Sequence, residues 1–347
     1  IVLNAQPASN VVLSVASSDT GEATVTGTLT FTNANWNTAQ TVTVTGVDDN
    51  IIDGSVNSTL TVTVVDAASD NNFDPVADQT VTATTTDNDV AGFTIAQTGG
   101  STSVAETGTT DTFTIVLNAQ PASNVVLSLS SSDTGESTVT SLLTFTNANW
   151  NTPQTVTVTG VDDNLVDGNQ SSTITVTIVD VISDNNFDPV ADQTVTATTT
   201  DNDVAGFTIA QTGGSTSVAE TGTTDTFTIV LNAQPASNVV LTVTSSDTGE
   251  ATVNSPLTFT SGNWNTAQTV TVTGVDDNLV DGTITSVITV AVDPNNSEDG
   301  FDGLSAVSVN TTTTDNDVAG FTVAETGGST SVAETGTTDT FTIVLNA

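Results

Sequence analysis

Carboxylates are the only side chains in this 347-residue sequence that carry charge at neutral pH. There are 40 Asp and Glu, no Lys, Arg or His, and the formal net charge is −40. The acids gather in recurring short segments. The fullest is TVTGVDDN followed by two apolar residues and Asp-Gly, at Thr43–Gly54, Thr157–Gly168 and Thr271–Gly282. Each copy is a Val/Thr strand running into a turn with three carboxylates. All-oxygen ligation of a hard cation is the chemistry open to such turns. Calcium suits it better than magnesium, which keeps its waters, and zinc is not expected without Cys or His.

The missing residue types exclude further chemistries. Without Lys there is no Schiff base or phosphate-loop lysine, and without His no Ser-His-Asp arrangement. Without Lys or Arg, nucleic acid is not an expected partner, because neutralising phosphate supplies most of that affinity. Membrane insertion is not expected either, since no apolar run nears the ~20 residues of a spanning helix. The chain has no Met and opens inside an apolar stretch, Ile1-Val2-Leu3. It is expected to be a window on a longer polypeptide.

IVLNA begins at Ile1, Ile115, Ile229 and Ile343, each 114 residues after the last. Trp36, Trp150 and Trp264 keep the same interval, as do Phe73, Phe187 and Phe301. That length suits one immunoglobulin-sized sandwich per repeat. An Asp-Asn-Asp triplet closes each copy and Val-Ala-Gly-Phe-Thr opens the next. The expected domains are therefore 1–89, lacking its opening segment; 90–203 and 204–317, complete; and 318–347, the opening of a further copy.

Within 90–203 the alternation of Thr with Val, Ile, Leu or Phe has the period of two that half-buried strands require. Strands are predicted at Gly92–Ala96 resuming at Ser103–Ala105, then Thr112–Asn118, Val125–Ser131, Thr138–Thr146, Thr155–Thr159, Ser172–Val179 and Thr194–Thr200. The fold class expected is all-β: tandem immunoglobulin-like antiparallel sandwiches of about seven strands each, arranged end to end. Trp150 and Phe187, alone in their loops, are expected to plug the ends of the core.

Strand alternation then sorts the acids. Glu106, Asp133, Glu136, Asp162, Asp163, Asp167, Asp201 and Asp203 fall at the end where the chain crosses into the next copy. Two like charges about 4 Å apart repel by roughly 1 kcal/mol in water and several-fold more when partly desolvated. No base is present to relieve them, so a bound cation is the expected counter-charge. Asp111, Asp180, Asp184, Asp188 and Asp192 are weighed for a second, junctional site.

The segments SVAETG, SSDTGE, LTFTNANWNTPQTVTVTGVDDN and the closing TTDND together resemble the Calx-β repeat of very large bacterial surface and secreted proteins. The resemblance spans every copy. It implies an immunoglobulin-like sandwich with calcium at the distal loops. By position, it implies ligands at Glu106, Asp133, Asp162, Asp163, Asp167, Asp201 and Asp203. In the next copy these are Glu220, Asp247, Asp276, Asp277, Asp281, Asp315 and Asp317. The truncated first copy offers Asp19, Asp48, Asp49, Asp53, Asp87 and Asp89. Two departures change the ligand set: Asp167 where the family often has Glu, a shorter side chain, and Asn202, a neutral amide, inside what is often an acidic triplet.

Near-identical joints suit structure more than catalysis. A carboxylate pair can hydrolyse glycosides, but a catalytic pair need not recur nearly unchanged in every copy. No enzyme is expected. The function expected is a calcium-stiffened spacer or fibre segment of an extracellular bacterial adhesin or surface filament. Its expected partners are neighbouring repeats of the same chain or identical chains. One rival is a filament or sheath subunit in which residues 318–342 of one copy supply the strands that residues 1–89 lack in another. The other is an adhesive module binding glycan or protein through the loops around Trp150 and Phe187.

Overall fold

The structure, a computed structural model, describes residues 1–346. It is all-β. Among the described residues the only helical turns are single turns of 3-10 helix such as Asp180–Ile182. Strands form where the sequence alternates. In Gln154–Gly160, Val156 and Val158 are buried while the threonines between them face outward. Threonine there supplies β propensity without charge.

The second repeat is a two-sheet sandwich. One sheet holds, in order, Ser137–Val139, Gln154–Gly160, Thr110–Leu117 and Phe93–Gln97. The other holds Leu142–Phe145, Val125–Ser131, Gln170–Ile178, Gln193–Thr200 and Thr102–Ala105. This is the strand partition of an immunoglobulin sandwich. Phe113 and Ile115 from the first sheet pack with Leu127 and Val176 from the second in one core. Each such side chain contributes about 1.5–3 kcal/mol on burial. Phe187 is fully buried in that core and Trp150 packs on its margin, as the sequence predicts for plugs. The third repeat has the same arrangement, with Phe227, Ile229, Leu241 and Val290 in its core.

Two predicted strands divide between the sheets. The opening strand crosses over at Thr98–Gly100, where Gly99 and Gly100 take φ of 73° and 88°. L-residues seldom hold such angles, so glycine is what allows the crossing. The predicted strand 138–146 breaks likewise, Ser137–Val139 joining one sheet and Leu142–Phe145 the other.

The first repeat keeps one four-stranded sheet, ordered Thr28–Phe31, Val11–Ser17, Val56–Val64 and Gln79–Thr85. Of the opposite sheet it keeps a ribbon of Ala23–Val25 with Val44–Gly46. The last described strands, Phe321–Glu325 and Phe341–Leu345, pair with each other as a separate ribbon.

The chain forms two compact units. One comprises Ile1–Val104, Gly108–Val161 and Ser171–Thr198; the other comprises Ala105–Thr107, Asp162–Gln170 and Thr199–Ala347. The acidic turn of the second repeat thus belongs with the third repeat. Leu165 forms a parallel bridge with Gln234, and the Val166 N–H donates to the Gln234 carbonyl at 3.0 Å. Val166 itself packs against the third-repeat core. In the other unit Ile51 bridges to Gln120 and Ile52 packs against the second-repeat core.

Candidate metal centre

In the third repeat four segments bring carboxylates together. Glu220 follows the strand Thr216–Ala219, and its N–H donates to the Thr314 carbonyl at 3.1 Å. A Cβ at Gly274 would overlap the Ala219 carbonyl, so the glycine ending the strand Gln268–Gly274 lets this backbone close in. Glu250 precedes the short strand Ala251–Val253. Its carbonyl accepts from the Val275 N–H at 2.8 Å and the Thr313 hydroxyl at 3.3 Å. Asp281 sits in the acidic turn. Gly282, with φ 79°, donates its N–H to Asp315 Oδ2 at 2.8 Å. This bond ties the turn to the closing triplet Asp315-Asn316-Asp317.

The result is two groups of carboxylates whose oxygens lie within 4.8 Å of one another. One is Glu220, Glu250 and Asp281; the other is Glu220, Asp315 and Asp317. Glu220 belongs to both. Glu220 and Glu250 are 1% and 5% exposed. Glu250 Oε2 and Asp317 Oδ2 are buried and accept no hydrogen bond. Burying an ionised carboxylate without partners costs several kcal/mol or forces it to take a proton. In the second repeat Glu106, Asp201 and Asp203 lie as close together as Glu220, Asp315 and Asp317 do, with Glu106 1% exposed and Asp203 Oδ2 again without a donor.

The electrostatics follow this geometry. Burial pushes the Glu250 carboxyl up, and the charges of Asp281, Glu220, Asp247 and Asp277 push it further. Burial, then Asp315, Asp276 and Asp277, raises Asp317. For Glu220 the largest single influence is the Asn316 N–H, which lowers it. Burial and the charges of Asp315, Asp277 and Asp281 together outweigh that bond, and the net direction is upward. Asp315 goes the other way, held down by N–H donors from Gly282 and Asp317.

Asn316 has a distinct task. Its N–H donates to Glu220 Oε2 at 3.1 Å and its side-chain amide to Asp276 Oδ1 at 2.8 Å. Asn202 does the same for Glu106 and Asp162. The backbone N–H that holds the glutamate would be there for any residue but proline, whereas the side-chain amide that holds Asp276 or Asp162 is a donor a third aspartate could not supply.

The ligand positions implied by the family resemblance divide into two sets. Glu106, Asp167, Asp201, Asp203, Glu220, Asp281, Asp315 and Asp317 fall in close groups. Asp133 and Asp247 each turn one oxygen to the N–H two residues on, at Gly135 and Gly249. Asp163 and Asp277 do so at Leu165 and Leu279. Asp162 and Asp276 hold the asparagine amides, and Asp167 Oδ1 is buried without a donor. In the first repeat Glu22, Asp49, Asp53, Asp87 and Asp89 line a cleft of about 20 Å³. Asp19 receives Gly21 N–H and Asp48 lies exposed nearby. Burial and the charges of Asp53, Asp49, Asp19 and Asp87 raise Glu22. Glu22 and Glu250 are absent from the positions the resemblance implies. Their signal was the TGE ending of the turn, which places a second acid at the mouth of a strand.

The acids weighed for a second, junctional site do not gather. Among the described residues none of Asp111, Asp180, Asp184, Asp188 and Asp192 belongs to a close group of three. Asp184 accepts N–H bonds from Ser123 at 2.9 Å and Asn186 at 3.0 Å. Asp111 accepts from Ser103 and Thr112. Backbone donors already satisfy these two charges.

Comparison with protein-family models and with curated proteins gives no match. Solved structures with some likeness include surface layer protein SbsC, domains 4–9, at 18% identity and TM-score 0.28, covering 90% of this chain and 40% of that one. CBD12 from CALX1.2 has 11% identity and TM-score 0.24, covering 63% of this chain and 99% of that one. SbsC domains 4 and 5 have 21% identity and TM-score 0.26, covering 54% and 76%. The chain thus spans well under half the length of the SbsC domain 4–9 structure. These likenesses are slight.

Proposed function

We propose that the chain is a calcium-stiffened structural segment of an extracellular fibre or surface protein. One observation carries this reading: buried carboxylates with unpartnered oxygens, Glu250 Oε2 and Asp317 Oδ2, flank the shared Glu220 in a protein without a single basic side chain. Calcium takes six to eight oxygens and tolerates irregular geometry. The residues that would hold it in the third repeat are Glu220, Glu250, Asp281, Asp315 and Asp317. Glu106, Asp201 and Asp203 would do so in the second. Bound calcium would supply the missing counter-charge.

Stiffening follows from chain economy in the acidic turn. Residues 162–168 carry Asp163 and Asp167 beside the carboxylate cluster, and Leu165 and Val166 in contact with the third repeat. Neutralising the cluster would fix the turn, and fixing the turn would hold the apolar pair in the next sandwich. The glycan-binding rival loses ground because Phe187 is wholly buried.

The test is thermal unfolding with calcium and with a chelator. At a hundredfold excess over Kd, one ion adds about 2.7 kcal/mol. For domains of this size that corresponds to a rise of roughly 10–20 °C. Identical melting curves would rule the proposal out.

A further inference from the structure

The tripeptide Asn-x-Ser/Thr, the acceptor pattern for N-linked sugar, occurs at Asn57, Asn169, Asn295 and Asn310. In a chain this rich in Thr and Ser the pattern alone says little, but the fold separates the four. A transferase must draw the amide out of the protein surface and hold the hydroxyl two residues on. The asparagine must therefore stand clear of a strand ladder, and the hydroxyl must be unbonded.

Asn57 and Asn310 are held in ladders. Asn57 lies in the strand Val56–Val64 in register with Thr84, and its side-chain oxygen accepts the Thr84 hydroxyl at 2.7 Å. Asn310 lies in Val307–Thr314, a strand flanked on both sides in its sheet, in register with Val287. The hydroxyl it needs, on Thr312, donates to Ser217 Oγ at 3.0 Å. Drawing either asparagine out would break backbone hydrogen bonds. Asn295 lacks a free hydroxyl instead. Ser297 donates to the Val240 carbonyl at 3.2 Å and accepts the Val240 N–H at 2.9 Å, which pins it to the strand Val239–Ser245.

Asn169 meets both conditions. It sits at a bend just before the strand Gln170–Ile178, and both it and Ser171 are exposed. Neither side chain hydrogen-bonds to another described residue. The turn holds its tip outward. Gly168, at φ 72°, donates its N–H to Asp201 Oδ2 at 2.8 Å. The Asp167 carbonyl accepts the Gln170 side-chain amide at 2.9 Å. These bonds anchor the residues on either side, and Asn169 is the side chain they leave in solvent. The first and third repeats have Ser55 and Thr283 at this place, so the feature belongs to the second repeat alone.

We infer that Asn169 carries an N-linked oligosaccharide. The donor is an oligosaccharide joined through C1 to a polyprenyl diphosphate. Asn169 Nδ2 attacks C1, the N–C1 bond forms, and the C1–O bond breaks with its electron pair leaving on the diphosphate. Nδ2 gives up one proton, and no carboxylate of the acidic turn is consumed. Transferases of this class act on chains that have crossed a membrane. The inference thus rests on the extracellular part of the proposed function and on nothing about calcium.

The experiment is mass spectrometry of the chain from the cells that make it, and of variants expressed in those cells. Trypsin has no site in a chain without Lys or Arg, so the digest uses an Asp-directed protease. The expected result is a peptide containing Asn169 that carries a sugar mass and releases sugar ions on fragmentation. Asn169→Gln and Ser171→Ala each abolish that mass, whereas Asn57→Gln, Asn295→Gln and Asn310→Gln leave it in place. Ser171→Thr keeps it too, which shows that its loss is not loss of the fold. A bare Asn169 in the native chain overturns the inference. So does sugar at Asn57, Asn295 or Asn310, or sugar on Asn169 that survives Ser171→Ala. Cell fractionation tells the two failures apart. A bare chain outside the cell leaves the extracellular reading standing, and a bare chain retained inside takes that reading down as well.

Discussion

Glu250 is the residue in which the cost and the use of the cluster are plainest. It is 5% exposed and has an oxygen that no donor reaches. Glu250→Gln removes a charge the metal-free fold must hold at a loss. The calcium-free variant is therefore expected to melt above the parent while gaining less on adding calcium. Calorimetry with and without chelator checks both signs, and a merely structural glutamate would give neither. Acid should act in the same sense. Glu250, Asp317 and Asp203 have carboxyls raised first by burial and then by neighbouring acids. The folded state therefore binds their protons more tightly than the unfolded state. Metal-free stability falls as pH climbs from the ordinary carboxylate range through the raised values, and rises on the way back down. Asp87 and Asp315, lowered by backbone donors, oppose this only below that range. A calcium-free melting temperature that rises from about pH 7 toward about pH 5, with a shrinking calcium increment, is the expected record. The acids that share an end were legible from strand alternation. The choice between Asp247 and Glu250 was not: they are three residues apart in one turn, and it depends on which oxygen the Gly249 N–H captures.

At the scale of elements, the acidic turn joins two jobs in one loop. Val166 packs on the third-repeat core, and its N–H is held by Gln234. Val166→Asp would set a charge against that apolar surface at a cost of about 2–4 kcal/mol. It is expected to lower the melting transition of the third repeat and leave the second-repeat core transition in place. Hydrogen exchange resolved by segment would show it, and uniform loss across the chain would contradict it. The strands themselves were readable because Thr and aliphatic residues alternate without interruption. The sheet switches at Thr98–Gly100 and after Val139 were not. A loop between two strand halves does not state which partner each half will find, and that is decided by packing across the sandwich. The two glycines marked a place where the chain could turn, without the direction.

For the whole molecule, a charge of −40 with no basic side chain means that long-range electrostatics act in one sense only. In a chelator, raising ionic strength shortens the Debye length from about 30 Å at 0.01 M to about 8 Å at 0.15 M. Screened self-repulsion should raise the calcium-free melting temperature of every repeat. With calcium bound, the same change should have a smaller effect. A melting temperature falling with added salt would show that attraction, not repulsion, dominates the acid ends. The close copying of the repeats was plain from the sequence. How far the contacts cross from one copy into the next was not, because Ile52 and Val166 look like ordinary turn residues until a neighbouring core is seen around them.

The seven residues from Asp162 to Gly168 have one more consequence. Drawing this turn away from the third repeat would withdraw Leu165 and Val166 through the same loop that carries Asp163 and Asp167. Under the proposed ligation the joint has no weak hydrophobic part separable from a strong ionic part. Pulling on one loads the other, so resistance to stretching would rise and fall with the calcium of the surrounding water.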